Sequence, residues 1–145
     1  MKKSILIIFT MLLIIIIATS LFAQSTTPTI TFNVPLQLTK LHQNVTEVSV
    51  QCVCNNYNNA VVSTTGRSNS ARPDANGNIN QTVTVTVQSL AGKDLSTATN
   101  YSCALGIKFI GVDGWGNPST ASTHVELQPK AGTTFVSQAY GNITW

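Results

Sequence analysis

Residues 99–110, Thr-Asn-Tyr-Ser-Cys-Ala-Leu-Gly-Ile-Lys-Phe-Ile, alternate strictly. Tyr101, Cys103, Leu105, Ile107 and Phe109 share one parity. Asn100, Ser102, Ala104, Gly106 and Lys108 share the other. A period of two is the signature of a strand with one buried face. The same period recurs in residues 79–88, where Ile79, Val83, Val85 and Val87 oppose Thr82, Thr84 and Thr86. It recurs again in 45–54, where Val48, Val50, Cys52 and Cys54 oppose Glu47, Ser49 and Gln51. These three stretches demand a second apolar layer, which restricts the chain to packed antiparallel sheets.

The rest of the chain is read around them. Residues 28–35 place Ile30, Phe32 and Val34 on one face between Pro28 and Pro35, which suits an edge strand. Leu36, Leu38 and Leu41 either extend that strand or form a turn. Asn55–Asn59 is a turn-prone loop, and 60–65 reads as a short strand. Residues 66–78 are loop-like and hold a Pro73-Asp-Ala-Asn-Gly-Asn78 turn. Residues 90–98 are long enough to cross between sheets. Gly111–Pro118 is turn-rich, 119–127 resumes alternation, and 133–145 forms a last strand or a tail. The mature chain shows no sustained helical period and no internal repeat. The expectation is an all-β sandwich of about seven strands.

The first residues set the compartment. Met1-Lys2-Lys3 precedes an apolar run over 5–17 and then Ala-Thr-Ser-Leu-Phe-Ala23. Basic, apolar and small-residue segments in that order make a signal peptide over 1–23, with cleavage after Ser20 or Ala23. The alternative is an uncleaved membrane anchor. Removing residues 1–23 from the 145 takes two of the eight basic residues and reduces the formal charge from +3 to +1. No basic stripe then remains for nucleic acid. An exported protein meets an oxidising compartment, where disulfides persist. The expected location is therefore secreted, periplasmic or cell surface.

As a set, Val50-Gln-Cys52, the Val-Thr-Val-Thr-Val strand 83–87 and Thr97-Ala-Thr-Asn-Tyr-Ser-Cys103 resemble strands B, E and F of an immunoglobulin-like or fibronectin type III-like sandwich. Bacterial surface repeats of this kind are similar in the 74–85 turn and strand and in the loop from Val112 to Ser119. The resemblance covers roughly 28–128 and implies 24–128 as the domain, with 129–145 as a C-terminal strand or tail. It implies that Tyr101 forms a tyrosine corner, its hydroxyl bonding upstream backbone. It also implies a B–F disulfide joining the two sheets, Cys103 pairing with Cys52 or, alternatively, with Cys54. Strand C carries no Trp, unlike antibody domains.

Candidate chemistry is sparse. His42 and His124 are the only histidines, and His124 stands beside Glu126 at same-face spacing; it reads as a surface residue. Asp74–Asn78 reads as a turn, since its glycine falls too early for a calcium loop. Neither G-x-S-x-G nor H-E-x-x-H occurs. No cofactor or metal site is expected. Trp115, between two glycines and near Asp113 and Asn117, is a candidate binding anchor, unless it folds back over the end of the sandwich. In the resembled topology the B–C and F–G loops share one end, so Tyr57 is expected beside Trp115. The sequence thus suggests a non-enzymatic binding or adhesion module with an extracellular protein or glycan partner. A fibre subunit donating its C-terminal strand, and a small hydrolase or inhibitor, are the alternatives.

Overall fold

The computed structural model describes residues 27–130 and 138–145. The leader assigned to 1–23 and part of the C-terminal strand assigned to 133–145 lie outside them. The described strands are β1 (Thr29–Leu38), β2 (Val45–Asn55), β3 (Gly66–Arg67), β4 (Ile79–Gln88), β5 (Asn100–Phe109) and β6 (Gln138–Asn142). The molecule is all-β: β1 pairs with β4 in one sheet, and the other runs β3-β2-β5-β6.

The apolar parities meet between these sheets. Val83, Val85 and Val87 of β4 are buried, as are Val48, Val50, Cys52 and Cys54 of β2 and Leu105, Ile107 and Phe109 of β5. The β1–β4 ladder is antiparallel and unbroken from Thr29↔Gln88 to Leu38↔Ile79. So β1 continues past Pro35 to Leu38, because Leu36 and Leu38 keep the inward parity. The β2–β5 ladder is antiparallel too, with a register shift between Val45 and Glu47. The 90–98 connection does carry the chain from one sheet to the other. It holds a 3₁₀ turn over Leu95–Thr97, capped by Asp94, whose carboxylate accepts the Ser96 N–H at 2.9 Å.

Two expected strands are absent as such. Residues 60–65 make only single bridges, Asn55↔Val61 and Ser63↔Ser89, and the strand begins at Gly66. This segment crosses from β2 to β4: Thr64 N–H bonds Gln88 O at 2.8 Å and Leu90 N–H bonds Val62 O at 3.0 Å. Residues 119–127 are turns ending in a 3₁₀ turn, Val125–Leu127. Their serines divert the backbone: Ser119 Oγ accepts Ala121 N–H at 3.2 Å and Ser122 Oγ accepts His124 N–H at 3.1 Å. Past residue 128, β6 pairs with β5 over Asn100↔Asn142 to Ala104↔Gln138 and so belongs to the second sheet.

Candidate functional site

Register decides the cysteines. Cys52 lies directly opposite Cys103, Cα to Cα 4.1 Å, and the two form a disulfide. Cys54 lies opposite Tyr101 instead and remains a buried free thiol. The bridge is not the inter-sheet staple expected, because β2 and β5 are neighbours in one sheet. Burial pushes the Cys54 thiol above its usual range, partly countered by its hydrogen bond with Ser63, so it is a poor nucleophile near neutral pH.

Tyr101 also departs from expectation. Its ring packs against Phe32 across the sandwich, centroids 5.0 Å apart. It also lies over Gly141, its cross-strand partner, where a Cβ would come within 2.6 Å of the ring. Among the described residues its hydroxyl makes no backbone hydrogen bond of the corner type. The ring instead fills the space that glycine leaves on β6.

Trp115 is not displayed at a loop tip. After β5 the chain turns back, and Gly116 bonds Ile107 in both directions at 2.8 Å. Gly116 sits beneath Leu127, whose side chain would meet an added Cβ at 2.7 Å. The Trp115 indole is thereby laid over Gly106 on the outer face of the second sheet. The Arg67 guanidinium stacks on the ring, 4.8 Å from its centroid, and donates to Ser49 Oγ at 2.7 Å. With the Gln51 amide oxygen turned toward the guanidinium, Gln51 accepts from Arg67 Nε at 3.3 Å and from Nη2. Trp115 therefore pins the loop to the sheet, and Ser49 becomes fully buried on an outward parity. Asp113 and Asn117 remain exposed on either side.

Tyr57 does not join them. Because β2 and β5 are antiparallel, the loop after Asn55 lies beside the start of β5, whereas Trp115 follows its end. Ten strand residues, about 30 Å at the usual rise, separate the two ends. Tyr57 is 77% exposed.

The end opposite Tyr57 gathers residues the sequence did not connect. Residues 39–44 are fixed on both sides. Leu41 N–H bonds Gly77 O at 2.9 Å, and Lys40 N–H bonds Asn78 Oδ1 at 3.1 Å. Asp74 closes the adjacent turn, its Oδ1 accepting the N–H groups of Asn76 and Asn78, both at 2.8 Å. Gly77 takes φ +74° there and approaches Leu41 so closely that an added Cβ would stand 2.6 Å from its carbonyl oxygen. On the other side, Asn44 Nδ2 donates to Glu126 Oε1 at 3.0 Å, and Asn44 N–H donates to His42 Nδ1 at 3.2 Å. The Asn44 bond chiefly, with a hydrogen bond to the backbone at Glu126 as the next cause, holds the Glu126 carboxyl below its usual range. The His124 ring rests on Phe109, centroids 5.3 Å apart.

These loops bound a cleft of about 530 Å³ lined by Leu41, His42, Gln43, Asp74 and Asn76 among others. A smaller cavity of about 70 Å³ adjoins it across Leu41 and His42, floored by Leu38, Ile107 and Leu127. Among the described residues no group of three or more His, Cys, Asp or Glu gathers as a metal site, and no helix is long and apolar enough to cross a membrane. The sequence signal for this site was faint. Asn44, Asp74 and Glu126 are far apart in the chain, and no motif joins them.

Comparison with protein-family models, curated proteins and solved structures finds no match.

Proposed function

We propose that the chain is an exported, non-enzymatic binding or adhesion module on an immunoglobulin-like (fibronectin type III-like) sandwich, with its ligand at the 39–44 end. The strand pairing supports the fold reading. If β1 to β6 are lettered B, C, C′, E, F and G, the two sheets correspond to B-E and C′-C-F-G of that architecture. Each lettered strand through the first half moves one letter later than the sequence suggested. The B–C connection is then 39–44, and it meets the F–G connection at the end used for ligands in variable-type domains.

The observation that carries the site is the cleft held between two hydrogen-bonded loops. Its walls are fixed before a ligand arrives, which reduces the ordering cost of binding. Two observations favour this reading over the alternatives. β6 is paired with β5 of its own chain, so a donor-strand role requires withdrawing it. His42 Nδ1 and Glu126 Oε1 both serve Asn44, and neither contacts a Ser or Cys side chain among the described residues.

The test is retention of the chain on intact cells and extracellular matrix. The double variant His42→Ala/Asn76→Ala should lower retention about tenfold or more, the scale of one or two lost hydrogen bonds. Tyr57→Ala should leave it unchanged. Loss in Tyr57→Ala alone would move the site to the opposite end of the sandwich.

A further inference from the structure

The cleft's own chemistry narrows its ligand. This step rests on the loop end being the ligand site. His42 Nδ1 accepts the Asn44 N–H, so the neutral ring carries its proton on Nε2 and acts there as a donor. Asp74 spends Oδ1 on its turn, while Oδ2 has no hydrogen-bond partner among the described residues and remains an acceptor. The Gln43 and Asn76 amides each bring a donor and an acceptor, and Leu41 and Pro73 add small apolar patches. Lys130 lines the cleft as well, so its walls carry a cation and a carboxylate besides the interleaved donors and acceptors.

The groups that anchor protein partners are placed elsewhere. Exposed Tyr57 and the Trp145 ring, whose Nε1 bonds Ala98 O at 2.8 Å, belong to the far end, and exposed Tyr140 is on β6. Trp115 and Arg67 are engaged with each other on the sheet face. A ligand here is held by hydrogen bonds rather than by a buried aromatic hot spot. A hydroxyl both donates and accepts, and a sugar ring alternates hydroxyls with small C–H faces. We infer that the cleft is a saccharide subsite that takes a short, hydroxyl-rich glycan.

The experiment is a titration of the ¹⁵N-labelled full chain with glucose, galactose, mannose and N-acetylglucosamine, and with β-linked dimers of each. The expected result is saturable amide shifts confined to residues 41–45 and 73–78, with millimolar affinity for at least one monomer and tighter binding of its dimer. His42→Ala and Asn76→Ala should each weaken it about tenfold, the scale of one lost hydrogen bond, with dispersed spectra showing that both variants fold. Thr82→Ala, on the outer face of β4, should leave it unchanged. Absence of saturable shifts with every sugar overturns the saccharide inference. If the double variant still loses retention on cells, that failure is one of ligand class alone and the loop-end reading stands. If retention is also unchanged, both fail together. Shifts that saturate at other residues place the sugar elsewhere and overturn the inference as well.

Discussion

The two sheets solve the same packing problem in different ways. The β1–β4 sheet is built from local pattern alone. Neither strand contains a charged residue, the ladder runs without a break, and its outer face is polar and hydrogen-bonded across strands, as in Thr84 Oγ1 to Asn33 Oδ1 at 3.1 Å. The β3-β2-β5-β6 sheet relies on specific contacts. It needs a disulfide, a register shift, a two-residue strand and a loop pinned by Trp115. A ladder whose two strands each alternate cleanly specifies its own register. Both ladders close over long connections, 39–78 between β1 and β4 and 56–99 between β2 and β5, so both carry closure entropy, and the second sheet adds specific contacts to fix itself.

The largest effect expected from that difference follows loss of the bridge. The 51-residue separation of Cys52 and Cys103 gives about 4 kcal/mol by the chain-entropy argument. Cys52→Ala/Cys103→Ala should lower stability by that order in denaturant titration. Amide exchange should speed up more in β2, β5 and β6 than in β1 and β4. Equal loss of protection in both sheets would show that they unfold as one unit and that the contrast has no energetic meaning.

A smaller effect is expected where the sheets touch. Gly66 opens β3, and a Cβ there would stand 2.3 Å from the Thr86 carbonyl oxygen of β4. Both groups are backbone, so Gly66→Ala must push β3 and β4 apart. Overpacking of this kind costs about 1–3 kcal/mol. The thermal midpoint should fall while the disulfide remains formed. An unchanged midpoint would mean that the 61–67 crossing gives way freely and does not couple the sheets.

The same contrast explains what the sequence disclosed. Val83, Val85 and Val87 announce their face by alternation, and β1 and β4 are readable almost residue by residue. The inward parity of Cys52 and Cys103 was readable as well. Their adjacency was not, because alternation reports which face a residue occupies and says nothing of which strand lies beside it. That missing neighbour relation moved the disulfide into one sheet and sent Tyr57 to the end away from Trp115. Alternation also misled at 119–127, where serine side chains bonded to nearby N–H groups outcompete a ladder. The loop-end site was the least legible part. Asn44 and Glu126 are 82 positions apart and meet only because β2 and β5 are antiparallel neighbours.

That contact gives the smallest predicted effect and the finest test of the comparison. The Glu126 carboxyl is held below the model-compound value of 4.5, chiefly by the Asn44 hydrogen bond. A depressed carboxyl pKa means that the folded state favours the charged form. The resulting stability is therefore fully present above the unfolded value and is lost as pH falls through the folded one. The group is only half-buried, so the change is small and screened by salt. In Glu126→Gln the titration disappears, so wild type and variant should converge in stability once pH has fallen through the depressed folded-state pKa and differ slightly above the usual glutamate range. The loop amides of 41–45 should show the same pH-dependent difference, whereas the amides of β1 and β4 should show none. A difference that grows as pH falls would carry the wrong sign, and would mean that Asn44 does not hold the carboxylate and that the loop end is tied down by other contacts.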